Sequence, residues 1–320
     1  MSIIERLGED VSELVVPGGR LVGSAGHTEA REYLLRRLKE VGLEGYPGDG
    51  YESQYEMLGA SVVNVLARLP GTNPDLAPIM LVAHYDTCGP YPGADDNAAA
   101  IAILLEAVEP LRARNLERSI VFAFFDAEEP PFYLTPAMGS IYFYTHQRTG
   151  PIHCTMVLDL CGHDIAVTGL EDLLFVTGME SDPELAEVVK ACEPTSGLRT
   201  IPTLNRYIGD LSDHHVFRVN RRPYLFLSCG RWPHYHQPSD TPEKLNYAKM
   251  AAIVAYVDSL AAEASQHEFV GPFEGYDTID TELYFLRQTV GPFLEALGFE
   301  PRSREDLDVM VQFMTTQFGL

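Results

Sequence analysis

Apolar residues fall into short unbroken runs separated by polar, Gly- and Pro-rich stretches, and several runs are followed by segments with apolar residues at helical spacing. Residues 79–83 form one such run and predict a buried strand ending at His84, where Gly89, Pro90, Pro92 and Gly93 open a loop. Beyond the loop, Ile101, Leu104, Leu105, Val108 and Leu111 share one face, so a helix is expected, with Asn97 as its cap. Residues 61–68 alternate with β-branched side chains and close at Pro70-Gly71, and 119–125 is a continuous apolar run of the kind buried on both faces of a sheet. Further strands are expected over 155–160, 173–178 and 223–229.

Helices are expected over 28–41, capped by Thr28 and stopped by Gly42; over 183–192, opening at Asp182-Pro183; and from Thr241-Pro242 to 264. This alternation predicts an α/β fold, a three-layer α/β/α core with a mixed central sheet. From Ser265 the composition changes, with Gly271, Pro272 and Gly275 interrupting before helical patterns over 281–297 and 303–317, where Met310 and Phe313 read as packing residues. The chain therefore divides into a core over 1–264 and a helical C-terminal extension over 265–320, which covers a cleft or makes a homo-oligomer contact.

Composition narrows the function. The formal charge is -23, with 23 Lys and Arg against 46 Asp and Glu, which excludes a basic nucleic-acid surface. The 46% hydrophobic content supports a large core, yet no segment is an unbroken apolar span of membrane length. The first residues carry acids and lack the basic start and apolar core of a signal peptide, so a cytoplasmic protein is expected. Cys88, Cys154, Cys161, Cys192 and Cys229 form no C-x-x-C pair, which fits reduced thiols. They are given no chemistry.

Candidate chemistry sits where the predicted strands end: His84, Asp96, the pair Glu128-Glu129 and Asp159, with His236 in the Pro-flanked loop after the last strand. A unit of strand, loop and helix presents such residues at the carboxyl end of the strand, where open α/β sheets place ligands. Two imidazoles and three carboxylates form an N/O donor set that zinc accepts. Five donors exceed one tetrahedral ion and suit two ions sharing a carboxylate, roughly 3.5 to 4 Å apart. The spare carboxylate, Glu128 or Glu129, is then the base that takes a proton from water.

The motifs R-x-x-G-S-x-G-H (20–27), N-V-x-A-R-L-P-G (64–71), H-x-D (84–86), P-G-A-D-D-N-A (92–98), D-A-E-E (126–129), L-D (158–159), S-D-H (212–214) and Y-H-x-x-x-D-T (235–241) occur in that order. None is specific alone; as an ordered set they make the chain resemble the co-catalytic zinc metallopeptidases of family M28. The resemblance implies a zinc-peptidase catalytic domain over 1–264, of phosphorylase/hydrolase-like fold, with two zinc ions. His84 and Asp159 would ligate one ion and Glu129 and His236 the other, with Asp96 bridging. Glu128 would be the general base, Asp86 the carboxylate that orients His84, and Tyr235 a stabiliser of the oxyanion. The Asp96-Asn97 peptide would be cis. A metal-dependent exopeptidase acting on peptides or small amides is expected, most simply an aminopeptidase whose acidic pocket holds the substrate's free amine.

One departure matters. After Glu129 many members continue G-L-x-G-S, whereas PPFYLTPAM (130–138) intervenes here, a longer aromatic loop expected to line the site and alter substrate choice. Glutaminyl cyclases, related single-zinc acyltransferases, also lengthen this loop and are the alternative, although they favour tryptophans around the pocket and Trp232 is the only one here. A peptidase-fold binding protein without catalysis is the third reading. Asp95 and Asp240 are expected to serve loop and turn geometry, and Asp213 and His214 to border the pocket or hold a loop. The other histidines, His27, His146, His153, His163, His215, His234 and His267, are expected to be solvated or hydrogen-bonded.

Overall fold

The computed structural model describes every residue except Glu193, Thr195, Gly319 and Leu320. Nine strands form one sheet: β1 Glu44–Gly45, β2 Glu52–Met57, β3 Ala60–Leu69, β4 Ile79–His84, β5 Ile120–Phe125, β6 Cys154–Leu158, β7 Leu173–Thr177, β8 Arg199–Thr203 and β9 Tyr224–Ser228. Along the sheet the order is β1-β3-β5-β4-β6-β9-β7-β8, with β2 paired to β3. The run β5, β4, β6, β9 is parallel, while β3 meets β5 and β7 meets β9 antiparallel, so the sheet is mixed as expected.

The central strands are apolar throughout because both faces are covered, and their side chains alternate between two layers. Ile79, Leu81 and Ala83 join one buried cluster with the long helices α1 (Ile3–Leu14), α2 (Ala25–Glu40) and α3 (Ala99–Arg114). Met80 and Val82 face the opposite layer. There the short helices α4 (Gly139–Tyr142) and α7 (His214–Val219) lie, and Phe143, just past α4, and Phe217 fill the second cluster. The remaining helices are α5 (Pro183–Ala191), α6 (Asn205–Ile208), α8 (Tyr247–Ala264), α9 (Ile279–Ala296) and α10 (Arg304–Phe318). In α9 and α10, Leu286, Val290, Leu294, Leu307 and Met310 are continuous with the main core. Among the described residues no helix is long and apolar enough to cross a membrane.

Several details differ from the sequence reading. Ser24, not Thr28, caps α2, its hydroxyl accepting the His27 N–H at 3.1 Å. Asn97 does not cap α3; its amide donates to the Leu158 carbonyl at 3.0 Å, tying the loop to β6. The last core helix begins at Tyr247 behind an Asn246 cap, after a single 3-10 turn at Pro242–Lys244. Strands β1, β2 and β8 and helix α1 were not expected.

Candidate metal centre

Because β4, β5, β6 and β9 run parallel, their carboxyl ends converge, and the polar residues that end them meet there. His84 is the last residue of β4, Glu128 and Glu129 follow β5, Asp159 follows β6, and His236 lies in the loop after β9. Asp96 comes from the loop between β4 and α3. That loop is built around Gly93, at φ +60, where a Cβ would sit 2.4 Å from the Asp96 carbonyl oxygen and 2.5 Å from Thr87 Cγ2. Fully buried Arg20 gathers its ends, donating to the carbonyls of Tyr85 (2.7 Å), Pro92 (2.9 Å), Gly93 (2.9 Å) and Asp96 (3.2 Å). The Asp240 carboxylate accepts the N–H groups of Asp95 (2.8 Å) and Asp96 (3.1 Å). The Asp96-Asn97 peptide is cis.

Asp96 stands between the two imidazoles: its Oδ1 is 3.2 Å from His84 Nε2 and its Oδ2 is 3.1 Å from His236 Nε2. Asp159 Oδ1 is 3.7 Å from His84 Nε2, and Glu129 Oε1 is 3.0 Å from His236 Nε2. Glu128 Oε2 is 4.0 Å from His84 Nε2. The residues expected to be ligands are thus brought together: His84, Asp96 and Asp159 form one trio, and His236 lies against both Asp96 and Glu129.

The donor set fits a metal. Both ring nitrogens of His84, Asp96 Oδ2, Glu128 Oε1 and Asp159 Oδ1 are buried without a hydrogen bond, although the two nitrogens, Asp96 Oδ2 and Asp159 Oδ1 each face an oppositely charged group within 4 Å. Buried polar atoms rarely go unpaired unless something else binds them. Lone pairs that approach one another without aligning as donor and acceptor are arranged for a cation.

Electrostatics agree. Burial lifts Glu128 well above the usual carboxyl range, against the pull of His84, and lifts Glu129 to about 8. Burial would raise Asp96, but the facing imidazoles of His236 and His84 hold it well below its usual value. Burial would lower His236, but Asp96 and Glu129 raise it to about 9, and carboxylates raise His84 in the same way. The cage demands positive charge, which protons or metal ions can supply.

Asp86 is fully buried behind His84, its Oδ1 3.4 Å from Nδ1. Its two oxygens also accept the backbone N–H groups of Glu128 and Glu129, each at 3.0 Å, which fixes the turn carrying both glutamates. Tyr235 lines the same small cavity as Asp96, Glu128, Glu129 and Asp159, and its ring stacks on His236 with centroids 3.7 Å apart.

Beneath the cage, Asp95 accepts from His163 Nδ1 at 2.6 Å and from the Gly162 N–H, and Asp126 accepts from His27 Nε2 at 2.7 Å and from the Val63 N–H. Asp95 and Asp240 therefore serve loop geometry. Asp213 and His214 are completely buried outside the cavity wall; His214 stacks on Phe226 and lies 3.2 Å from the Gly209 carbonyl through Nε2. Cys88, given no chemistry from the sequence, has its sulfur grouped with the donor atoms of Glu129 and His236. The loop 130–138 adds no residue to the wall of this small cavity, but Tyr133 stands near enough to the cage for Glu128 and Asp159 to help burial raise its pKa. Phe132 packs instead against the buried cluster of Tyr55, Val62 and Ala127, and the Tyr133 hydroxyl donates to the Asp210 carbonyl.

The profile of peptidase family M28 matches residues 64–261. An uncharacterised protein of Escherichia coli, YfbL, is 29% identical over 213 residues, 57% of this chain and 65% of that protein, so the chain spans less than two thirds of this relative's length. Among solved structures, a leucine aminopeptidase precursor of Bacteroides thetaiotaomicron superposes with a TM-score of 0.64 at 19% identity, covering 81% of this chain and 97% of that one. A glutaminyl cyclase of the same organism superposes equally well, with a TM-score of 0.64 at 20% identity and coverage of 81% and 97%. At such identities the likeness is one of fold, common to hydrolase and cyclase.

Proposed function

Since the chain belongs to peptidase family M28, and so is a hydrolase, we propose that it is an aminopeptidase with two zinc ions that removes amino-terminal residues from peptides or small amides. The observation that carries this reading is Asp96, whose two oxygens face different imidazoles, 3.2 Å from His84 and 3.1 Å from His236. His84 and Asp159 would hold one ion and His236 and Glu129 the other, with Asp96 between them. Zinc bound there would supply Lewis acidity, bringing the pKa of water to about 7 and polarising the scissile carbonyl.

The protein's own groups do the rest. Glu128, 4.0 Å from His84 and lifted by burial, takes the water's proton on its free Oε and returns it to the leaving amine. Asp86 holds the Glu128 N–H at 3.0 Å, fixing the base relative to His84. Tyr235, on the same cavity wall, is assigned the donation to the carbonyl oxygen as negative charge develops. Surplus carboxylate around the cage favours the substrate's terminal ammonium. All five cysteines are unpaired, which supports a reducing compartment, and the reading keeps the cytoplasm.

The test pairs metal analysis with two assays on the zinc-loaded protein. The reading expects about two zinc per chain and release of nitroaniline from aminoacyl-nitroanilides. One zinc per chain together with cyclisation of amino-terminal glutamine would replace it with the cyclase.

A further inference from the structure

We propose that Cys88 is a thiolate ligand of the ion held by His236 and Glu129, so that this half of the cage is a closed, sulfur-containing site selective for a thiophilic divalent cation such as zinc. The proposal rests on the two-ion reading above and adds a ligand and a metal preference to it. The five donors drawn from the motifs are two imidazoles and three carboxylates, with no sulfur among them.

The sulfur is placed by its neighbours. Cys88 lies four residues beyond His84, in the loop after β4. Thr87 fixes the chain just before it: its hydroxyl accepts the Arg20 N–H at 2.8 Å and donates to the Gly89 carbonyl at 2.8 Å, while its own N–H donates to the Arg20 carbonyl at 3.3 Å. Gly19 packs tightly against the residue after it, where a Cβ would lie 2.6 Å from the Gly89 carbonyl oxygen. Held on both sides, Cys88 brings its Sγ within 4.8 Å of a carboxylate oxygen of Glu129 and a ring nitrogen of His236. Donors on one tetrahedral zinc stand about 3.3 to 3.8 Å apart at bond lengths of roughly 2.0 to 2.3 Å, so this group is at most about 1.5 Å wider than an occupied site.

The other cysteines provide the contrast. Cys154, Cys161, Cys192 and Cys229 are buried in the main apolar cluster, whereas Cys88 is half-buried and outside it. A second observation points to a cation at the same place: Asp96, 5% exposed, aims Oδ2 at His236 Nε2 from 3.1 Å, and that oxygen has no hydrogen bond.

Counting donors separates the two halves of the cage. His236, Glu129, Cys88 and one oxygen of Asp96 make four, a closed set of the kind that keeps no open position. His84, Asp159 and the other Asp96 oxygen make three, and Glu128 lies beside them, 4.0 Å from His84. The position open to water and substrate is therefore on the His84 side, within reach of the base. Thiolate sulfur favours zinc over magnesium and manganese, which prefer oxygen donors. On binding, the S–H bond breaks, the proton leaves to solvent and a sulfur lone pair is given to the ion.

The test titrates the full chain, stripped of metal by chelation, and its Cys88→Ser variant with cobalt(II), with stoichiometry from equilibrium dialysis. Wild type is expected to develop a near-ultraviolet sulfur-to-cobalt charge-transfer band that Cys88→Ser lacks. In the variant, affinity for one equivalent of zinc should fall at least ~10-fold, and the preference for zinc over manganese should fall ~10-fold. Independently of any variant, zinc at about ten times its Kd should slow alkylation of Cys88 in wild type ~10-fold, read by peptide mass spectrometry. Bound cobalt without the band, a band retained in Cys88→Ser, or Cys88 alkylation unchanged by bound zinc overturns the proposal, and two ions per chain would then leave the two-ion reading standing. One ion per chain with a Cys88-dependent band supports the proposal while removing the two-ion reading, and no bound metal overturns both.

Discussion

Asp240 Oδ2 accepts the backbone N–H of Asp96 at 3.1 Å, joining the loop that follows β9 to the loop that follows β4, 144 positions apart in the chain. Its other oxygen takes the Asp95 N–H at 2.8 Å, so one carboxylate sets the backbone under the residue that faces both imidazoles. Asp240→Asn turns one acceptor into a donor pointed at an N–H. Zinc affinity is expected to fall ~10- to 100-fold with secondary structure retained, as read by competition with a chromogenic chelator. Unchanged affinity would show that the loop holds its shape without this contact.

Arg20 has a structural role that its motif did not disclose. Its guanidinium is fully buried, and burial brings its pKa down to about 10 despite the nearby carboxylates. All its donors go to carbonyl oxygens of the metal-loop region and α1, including Leu14 at 3.1 Å. Arg20→Met leaves these acceptors unpaired, and a loss of at least ~3 kcal/mol in urea unfolding is expected. A loss below about 1 kcal/mol would mean that the loop is held by Asp240 and Gly93 alone.

His214 provides a pH dependence away from the cage. Burial against Tyr224 and Phe226 holds its pKa near 4, below the ordinary 6.5. The folded protein keeps this ring neutral while the unfolded chain binds a proton below 6.5, so stability is complete above that pH and falls as pH drops toward 4. The contribution is about 3 kcal/mol at most. His214→Phe should remove that part of the slope in unfolding curves taken between pH 7 and pH 4. An identical slope in the variant would assign acid sensitivity to other groups.

The central strands, the helices α2, α3, α5, α8, α9 and α10, and the five residues that meet at the strand ends were legible because each leaves a local mark: apolar runs, helical spacing, and a polar residue at a strand end or in the loop after it. β2 was not, since ESQYEM buries only Tyr55 and so lacks an apolar alternation. β8 carries Pro202 at the edge of the sheet, where a missing N–H is tolerated but the sequence reads as interrupted. Helix α1 did leave a mark that the reading passed over, Ile3, Leu7, Val11 and Leu14 at helical spacing behind a Ser2 and Glu5 capping box. Asp86 was legible as a partner of His84, but its hold on the Glu128 and Glu129 amides depends on β4 and β5 lying side by side. The loop 130–138 follows Glu129 directly, yet its two aromatic residues part company: Phe132 packs against Tyr55, Val62 and Ala127, while Tyr133 stays near Glu128 with its hydroxyl on the Asp210 carbonyl.

The central claim is that Glu128 moves the proton while the neighbouring donors hold metal. Glu128→Gln keeps the shape of the side chain and removes its basicity. Zinc content and aminoacyl-nitroanilide hydrolysis, measured on one preparation of this variant, are predicted to give the wild-type metal content with a rate at least ~100-fold lower. Hydrolysis at the wild-type rate would contradict the account, and so would zinc lost in step with activity, which would make Glu128 a ligand.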